Sequence, residues 1–155
     1  MIQQDIAEKW VHWTLVSDPR TAEKFAFRVY PVIAPQGATK GESGGVLTFA
    51  VFKRQSAGFV DTTTLDTLTG VNAFPDAIST TVSIDIYAET YAEAREAASV
   101  VTRVLHGATG STFGATVVYS LQQSEQDDIV VPVDGKAMPL YAVGQTYEIR
   151  VAQNA

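Results

Sequence analysis

The segment VSIDIYAETYAEAREAASVVTRVLHG, residues 82–107, contains the pattern that decides the fold of this 155-residue chain. In its first seven residues apolar and polar side chains alternate, which is typical of a β-strand with one face on a core. From about Tyr91 the apolar residues recur every three or four positions, which is typical of an amphipathic helix. The segment therefore predicts a strand at about 79–88 and a helix at about 91–106.

The junction between these two elements has a local physical explanation. Thr90 and Glu93 have the spacing of a capping box, in which the threonine oxygen accepts the Glu93 amide and the glutamate reaches back to the Thr90 amide. Gly107 follows the helix and suits a left-handed stop. Because no G-x-S-x-G and no glycine lies between Gly70 and Gly107, we interpret the junction as structural and not as a catalytic turn.

The helix divides cleanly into an apolar and a polar arc. The apolar arc begins with alanines, which allow close approach to a sheet, and comprises Ala94, Ala97, Ala98, Val100, Val101, Val104 and Leu105. The polar arc comprises Arg95, Glu96, Ser99, Thr102, Arg103 and His106. The apolar arc is predicted to face the core, so the polar arc faces either water or a neighbouring subunit.

The N-terminal region predicts another amphipathic helix of about four turns that ends before Pro19, because proline disfavours helix in the preceding residue. Its apolar stripe consists of Ile2, Ile6, Trp10, Trp13 and Val16. The two tryptophans form a large apolar anchor. We expect this helix to pack on the chain's own sheet. The alternative is that it docks on a neighbouring subunit.

Four further segments have the composition of strands. These are FAFRVYPVIAP at 25–35, VLTFAVFKRQSA at 46–57, ATVVYSLQQSEQ at 115–126 with Val117, Tyr119 and Leu121 on one side, and QTYEIRVAQ at 145–153. Prolines confine the first to a sheet edge, whereas apolar residues on both faces favour a central position for the second.

Two connections between the strands are unusual. Residues 36–45 carry four glycines and no large apolar residue, which predicts a flexible arm. Residues 58–77 form a long irregular excursion. The order of elements predicts one α+β domain spanning 1–155, with a mostly antiparallel sheet of about five strands and two main helices packed on it.

Composition narrows the functional classes. A net charge of −6 and a pI near 4.8 disfavour a protein that grips nucleic-acid phosphates, because such binding needs clustered Lys and Arg. The absence of cysteine excludes disulfides and thiolate sites. No signal peptide is apparent, and no apolar run approaches the roughly 20 residues that span a bilayer. We expect a soluble protein folded in a cytoplasm.

No catalytic or cofactor motif is visible. His12 and His106 both fall on the polar sides of predicted helices, and no Walker loop, H-E-x-x-H or G-x-G-x-x-G occurs. The acidic group SEQDD at 124–128 has carboxylate spacings able to coordinate Ca²⁺ or Mg²⁺. A solvated turn or a charged interface patch is the favoured interpretation, so we expect no catalytic residue, cofactor or metal.

Several stretches together resemble a known family. The chain carries, in this order, FRVYPVIAPQGA at 27–38, LTFAVFKRQSA, VSIDIYAETYAEAREAASVV at 82–101, SLQQSEQDD and a final YEIRVA. These segments and their order resemble those of the tail-terminator, or head–tail joining, proteins that complete the tails of long-tailed bacteriophages. The resemblance covers about residues 25–152, and its most specific parts are RVYPVIAPQG and the run from Asp85 to Ala94.

The resemblance implies a non-enzymatic virion protein. Members of the family form a ring, commonly a hexamer, at the head-proximal end of the tail tube, where the ring ends tube polymerisation and meets the head connector. The implied partners are further copies of the chain, the major tail-tube protein and the connector or stopper. DNA passes through the lumen without specific binding, which suits an acidic chain, and no membrane is involved.

A closed ring needs two different surfaces on each subunit. The candidate interface residues lie in the glycine-rich arm, the 58–77 excursion, the polar arc of the second helix and the acidic group: Lys40, Glu42, Phe59, Leu65, Leu68, Phe74, Glu96, Arg103, Glu125, Asp127 and Asp128. Alternative functions are a head-side neck protein of stopper or adaptor type and, from other classes, a small-ligand or regulatory module and, last, an enzyme.

Overall fold

The computed structural model describes residues 5–32, 34, 46–59, 77–112, 114–130 and 140–153. Within these ranges the chain forms three helices and six strands, which confirms the α+β class. In chain order they are α1 (Ile6–Ser17), α2 (Pro19–Phe25), β1 (Val29–Pro31), β2 (Phe49–Phe59), β3 (Ala77–Ala88), α3 (Tyr91–Leu105), β4 (Gly110–Thr112), β5 (Ala115–Val130) and β6 (Leu140–Gln153). None of these helices is both long and apolar enough to cross a membrane.

The six strands form one sheet in the order β1-β2-β3-β6-β5-β4. Every neighbouring pair is antiparallel except β1 and β2, which are parallel. The central pair, β3 and β6, runs in unbroken register from Ala77 opposite Ala152 to Ala88 opposite Tyr141. The three helices pack on the face that carries the buried side chains of Val82, Ile84 and Ile86. We call the other face the uncovered face, because no described helix packs on it.

The strand-to-helix junction confirms the predicted cap by Thr90 and the predicted stop at Gly107. The amide of Glu93 donates to Thr90 Oγ1 over 3.2 Å, which is the threonine half of the capping box. At the other end of α3, Gly107 adopts the left-handed conformation with φ of +78°. A residue with a Cβ would be strained in that conformation, so glycine suits the end of the helix.

The alanine-rich arc of α3 makes the main contact between the helical layer and the sheet. Ala94, Ala97, Ala98 and Val101 are completely buried. Their short side chains bring the helix close enough for Gln145 Nε2, on β6, to donate to the main-chain oxygen of Ala98 over 2.9 Å. The predicted division of this helix into two arcs is therefore confirmed.

The N-terminal helix differs from the prediction in its buried stripe. The buried residues of α1 are Ile6, Ala7, Trp10, Val11 and Leu15. Trp10 is an anchor, as expected, but Trp13 is 54% exposed. The side of the helix that carries Ala7, Val11 and Leu15 faces the core, so Trp13 lies outside the buried stripe. The prediction that both tryptophans anchor the helix is therefore wrong.

The predicted strand at 25–35 is also wrong in its first half. Helix α1 ends at Ser17, before Pro19 as predicted, but Pro19 then starts a second helix, α2, whose N-cap residue Asp18 accepts the Arg20 amide over 2.9 Å. Phe25 closes this helix, and Ala26 and Phe27 then take positive φ values of 46° and 69°. Only Val29–Pro31 remains as strand β1.

The C-terminal strands are longer than predicted. The acidic group at 124–128 lies inside β5 and not in a turn, and β6 starts five residues before the predicted strand. A bulge between Val117 and Tyr119 places these two side chains on opposite faces, whereas the alternation had placed them together. A short strand, β4, precedes β5 in a region where no strand was predicted.

The predicted arm at 36–45 and residues 60–76 of the predicted excursion lie outside the described residues. The prediction of a single domain over the whole chain stays a prediction.

Replacing the cap residue of α3 should lower stability. We expect Thr90→Ala to reduce the free energy of unfolding by about 1 kcal/mol, because the Glu93 amide loses its acceptor. Urea denaturation followed by circular dichroism measures the change. Thr90→Ser keeps a hydroxyl and should lose much less; equal losses for both variants would show that the cap contributes nothing.

Candidate assembly surfaces

The outer edge of β5 is open along its second half. Strand β4 covers only residues 115–117 on that side. The loop after α3 covers the next part, since the Gly107 amide donates to the Ser120 oxygen over 2.7 Å and the Gln122 amide donates to His106 Nδ1 over 3.0 Å. From residue 123 to 130 no described strand pairs with this side of β5. We call residues 123–130 the acidic edge.

The backbone groups of the acidic edge point outward from the sheet at alternate residues. The Ile129 amide donates to the neighbouring Asp128 Oδ1 over 2.8 Å and so takes its acceptor outside the ladder with β6. The register is regular from Ser124 to Val130. Because backbone groups alternate in direction along a strand, those of Glu125 and Asp127 face outward with those of Ile129.

The side chains of this edge are fixed by the polar arc of α3. Arg95 Nη1 lies 3.2 Å from Glu125 Oε2 and 3.1 Å from Asp127 Oδ1. The hydroxyl of Tyr91 donates to Asp127 Oδ2 over 3.1 Å, and this bond to a carboxylate raises the pKa of Tyr91. The helix thus holds two carboxylates in place and partly neutralises them.

The opposite side of the sheet has a second open edge, on β2. Strand β1 pairs only with Ala50, Val51 and Phe52. Residues 53–57 are exposed, and no described strand covers this side of β2 from 53 to 59. We call residues 53–59 the basic edge, because it begins with Lys53 and Arg54. Arg54 Nε lies 3.4 Å from Glu8 Oε1 on α1.

The uncovered face of the sheet carries a polar network across three strands. Glu148 Oε1, on β6, accepts from Ser79 Oγ and from the Tyr119 hydroxyl, each over 2.9 Å. The guanidinium of Arg150 lies over the Tyr119 ring at 5.0 Å from its centroid. Partial burial and the bond to Glu148 both raise the pKa of Tyr119. These bonds fix the orientation of charged groups on a face that no described helix covers.

Asp85 occupies a confined position on the same face. Its Oδ1 packs against Gly144, where an added Cβ would come within 3.0 Å of that oxygen. Partial burial raises the pKa of Asp85; Lys53 acts in the opposite direction and Asp128 adds to the increase. Asp85 and Asp128 line one hollow with Tyr87 and Gln126. Ionisation of this carboxyl group in the folded state therefore lowers stability.

The candidate residues from the sequence have different environments. Glu125, Asp127 and Asp128 lie together on the acidic edge. Glu96 is engaged within the chain, because Lys24 Nζ donates to its Oε1 over 2.7 Å, which lowers the pKa of Glu96. Arg103 is exposed on α3. Phe59 ends β2, and its side chain lies outside the described residues together with Lys40, Glu42, Leu65, Leu68 and Phe74.

Sequence reasoning missed the residues that support the acidic edge. Tyr91 and Arg95 are four apart and share one side of α3, so the helical period could have placed them together. No local pattern relates Lys53 and Arg54 to the acidic group, because β2 and β5 lie on opposite sides of the central strands.

The described residues contain no group of three or more His, Cys, Asp or Glu able to hold a metal ion. The two histidines are engaged in other contacts. His12 packs its ring against Phe52 at 5.7 Å between centroids, and His106 Nδ1 accepts the Gln122 amide.

No family model and no curated protein sequence matches the chain. Among solved structures, the fold is similar to that of a chain in the virion of a native gene transfer agent particle, with a TM-score of 0.60 and 16% sequence identity. The similarity covers 92% of this chain and 91% of the other. At this identity the likeness shows the fold, and it extends over almost the whole length of both chains.

Removing the cation that holds the acidic edge should weaken the fold slightly. We expect Arg95→Met to lower the free energy of unfolding by about 0.5 kcal/mol at low salt, since partly exposed ion pairs contribute little. The loss should shrink in about 1 M salt, where charges are screened. Chemical denaturation at both salt concentrations measures it.

Arg103→Met is the matched control, because no described carboxylate forms an ion pair with Arg103. It should change stability little at either salt concentration. A salt-independent loss for Arg95→Met would mean that Arg95 acts through packing and not through its charge.

The raised pKa of Asp85 gives a pH-dependent prediction with a definite sign. A carboxyl group whose pKa is higher in the folded state loses stability as pH rises above its unfolded value of 3.8. Asp85→Asn should therefore be more stable than the parent at pH 7 and equally stable at about pH 3, where the carboxyl is protonated in both states.

Thermal unfolding at the two pH values checks this prediction. Glu89→Gln, at an exposed residue in the bend after β3, is the control and should not gain stability at pH 7 relative to pH 3. A less stable Asp85→Asn at pH 7 would show that the ionised carboxylate stabilises the fold.

Proposed function

We propose that this chain is a structural subunit of a phage-like virion, and that it acts as a tail terminator. In this role several copies form a ring at the head-proximal end of the tail tube, stop tube polymerisation and join the tail to the head connector. The observation that carries the proposal is the likeness of fold, over nine-tenths of both chains, to a chain of a gene transfer agent virion. The resemblance of the sequence segments to tail-terminator proteins supports the finer role.

The two sheet edges support assembly into a ring. A ring is built from heterologous contacts, so each subunit needs two different and complementary surfaces. The chain has an open edge at each side of its sheet, one with Glu125, Asp127 and Asp128 and the other with Lys53 and Arg54. Opposite charges at the two edges favour head-to-tail contact over contact between like edges.

The uncovered face suits the lining of a lumen through which DNA slides. It presents the carboxylates of Asp85, Asp128 and Glu148, and the chain has a net charge of −6. Carboxylates repel phosphates, whereas a basic lining would hold the DNA. Arg150 on the same face is stacked over Tyr119, which limits its reach towards a phosphate.

A structural role agrees with the state of the titratable groups. The imidazoles contact a phenyl ring and a backbone amide. The carboxylates of Glu96, Glu125, Asp127 and Glu148 each pair with Lys24 or Arg95 or accept a hydrogen bond. A head-side neck protein of stopper or adaptor type is the second candidate, because it would also form a ring around DNA.

Ring assembly is tested on the purified chain. We expect a single high-mass species, near six subunits, by mass photometry, and ring-shaped particles by electron microscopy. Tail tubes from the particle encoded in the same genome should bind the rings at one end and stop elongating. A chain that stays monomeric alone and leaves tube length unchanged would contradict the proposal.

The same experiment distinguishes the two candidate roles. A terminator shortens tubes to a defined length and caps them. A stopper leaves tube length unchanged and binds instead to purified DNA-filled heads from the same particle, where it reduces DNA leakage.

A further inference from the structure

We propose that the acidic edge of one copy pairs with the basic edge of the next, so that one sheet continues through the ring. The strands meet antiparallel, with Asp127 opposite Arg54 and Asp128 opposite Lys53. The inference rests on the proposed function only in that the partner is a second copy of this chain.

The direction of the strands permits this pairing. Strands β2, β3, β6 and β5 are successive neighbours and each neighbouring pair is antiparallel, so β2 and β5 run in opposite directions. Neighbours in a ring have the same orientation relative to its axis. The β5 edge of one copy therefore meets the β2 edge of the next as an antiparallel pair.

The covered parts of the two edges require an offset between copies. One row of paired residues crosses the sheet from Glu125 through Gln145 and Ile84 to Phe52. At this row the edge of β5 is open, but β1 covers the edge of β2. In the row that runs from Gln122 to Arg54, the edge of β2 is open, but the loop after α3 covers β5 through His106. Without a shift the open parts share only the row of Lys53 and Ser124, so longer pairing requires the next copy to be shifted along the strands.

The proposed register fixes the size of this shift. Lys53 lies in the row of Ser124 within its own sheet but faces Asp128 of the neighbour, which is four residues further along β5. This shift is about 14 Å along the strands, against about 19 Å across the four strands that each copy contributes. The ratio gives a strand tilt of about 36°, within the roughly 35–45° of closed barrels. The displacement between copies that the covered parts of the two edges require is therefore of the size that closes a barrel.

The same two distances give the width of the ring. Each copy advances the circumference by about 24 Å, so six copies give a barrel about 45 Å across between opposite backbones. That width leaves space for a DNA duplex once the side chains of the uncovered face are included.

The side chains match on both faces of the continued sheet. Asp127 and Arg54 both lie on the helical side, where they already contact Arg95 and Glu8. Their contact would create an alternating chain of four charges from α1 of one copy to α3 of the next. Asp128 and Lys53 both lie on the uncovered face beside Asp85. Each acidic residue of the pair therefore meets a basic one.

Both ends of the paired segment have a stop. On the β5 side, His106 and Gly107 already bond the outward groups of Gln122 and Ser120, so the incoming strand ends there. On the β2 side, β1 covers Phe52 and blocks pairing beyond it. These two stops limit the possible registers, and among them only the pairing of Asp127 with Arg54 and Asp128 with Lys53 joins an acidic to a basic residue on both faces. A slip by one residue would place charges on the wrong face.

The register is tested by cross-linking, which the chain suits because it has no cysteine. We expect the double variant Lys53→Cys with Asp128→Cys, oxidised with diamide, to give a ladder of covalent oligomers on a non-reducing gel that ends at the ring size. Within one copy these residues are on different strands about 20 Å apart, too far for a disulfide, which needs Cα atoms within about 7 Å.

The double variant Lys53→Cys with Ser124→Cys is the matched control, because Ser124 lies in the row of Lys53 and would be its partner without an offset. It should give no ladder. A ladder from the control pair alone would overturn the register. Rings with no ladder from either pair would overturn edge pairing while leaving the proposed function standing, whereas the absence of oligomers, with and without tail tubes, would contradict both.

Discussion

The rest of the structure depends on one buried amide, that of Gln145. Its Nε2 lies 2.9 Å from the Ala98 oxygen, 3.0 Å from Thr102 Oγ1 and 2.9 Å from Glu125 Oε1, and its Oε1 accepts the Tyr147 hydroxyl over 2.7 Å. A buried polar group is costly to leave without partners. Helix α3 therefore has a preferred position along β6, because a shift of one turn would leave the amide unsatisfied while the alanine arc could still pack.

The position of α3 in turn determines the geometry of the acidic edge. Once Ala98 is fixed over Gln145, Arg95 and Tyr91 lie one and two turns earlier on the helix and reach Asp127, and Arg95 also reaches Glu125. An edge strand with outward backbone groups is prone to unspecific pairing. Here the same residues carry charged side chains. Contacts with Arg95 and Tyr91 fix the carboxylates of Glu125 and Asp127 and leave the outward backbone groups accessible.

The structure also shows which features a local pattern can predict. The change from strand to helix near Thr90, the cap and the stop at Gly107 each depend on a few consecutive residues, and all were predicted. The predicted strand stops at Gln126, whereas β5 continues to Val130, because both faces of this end are exposed and its residues show no apolar alternation. The bulge before Tyr119 reverses the faces of the strand, and α2 is too short for a period to emerge. The relation between Arg54 and Asp127 lies beyond any local pattern, because it depends on the order of the strands and on which part of each edge is covered.

Complementary sheet edges raise a physical difficulty, because a subunit that can pair at both sides forms an open filament unless the contact closes. The covered segments offer a solution in the fold itself. In the proposed ring, β1 and the loop after α3 block the unshifted register, so each new copy would add the same displacement along the strands. A constant displacement of this size is the condition for a tilted barrel. The charges add a second control, because a chain with six excess negative charges repels further copies wherever its two edges are not in register. Closure would then follow from the same residues that make assembly possible, and a finite ring is the state in which no edge remains open.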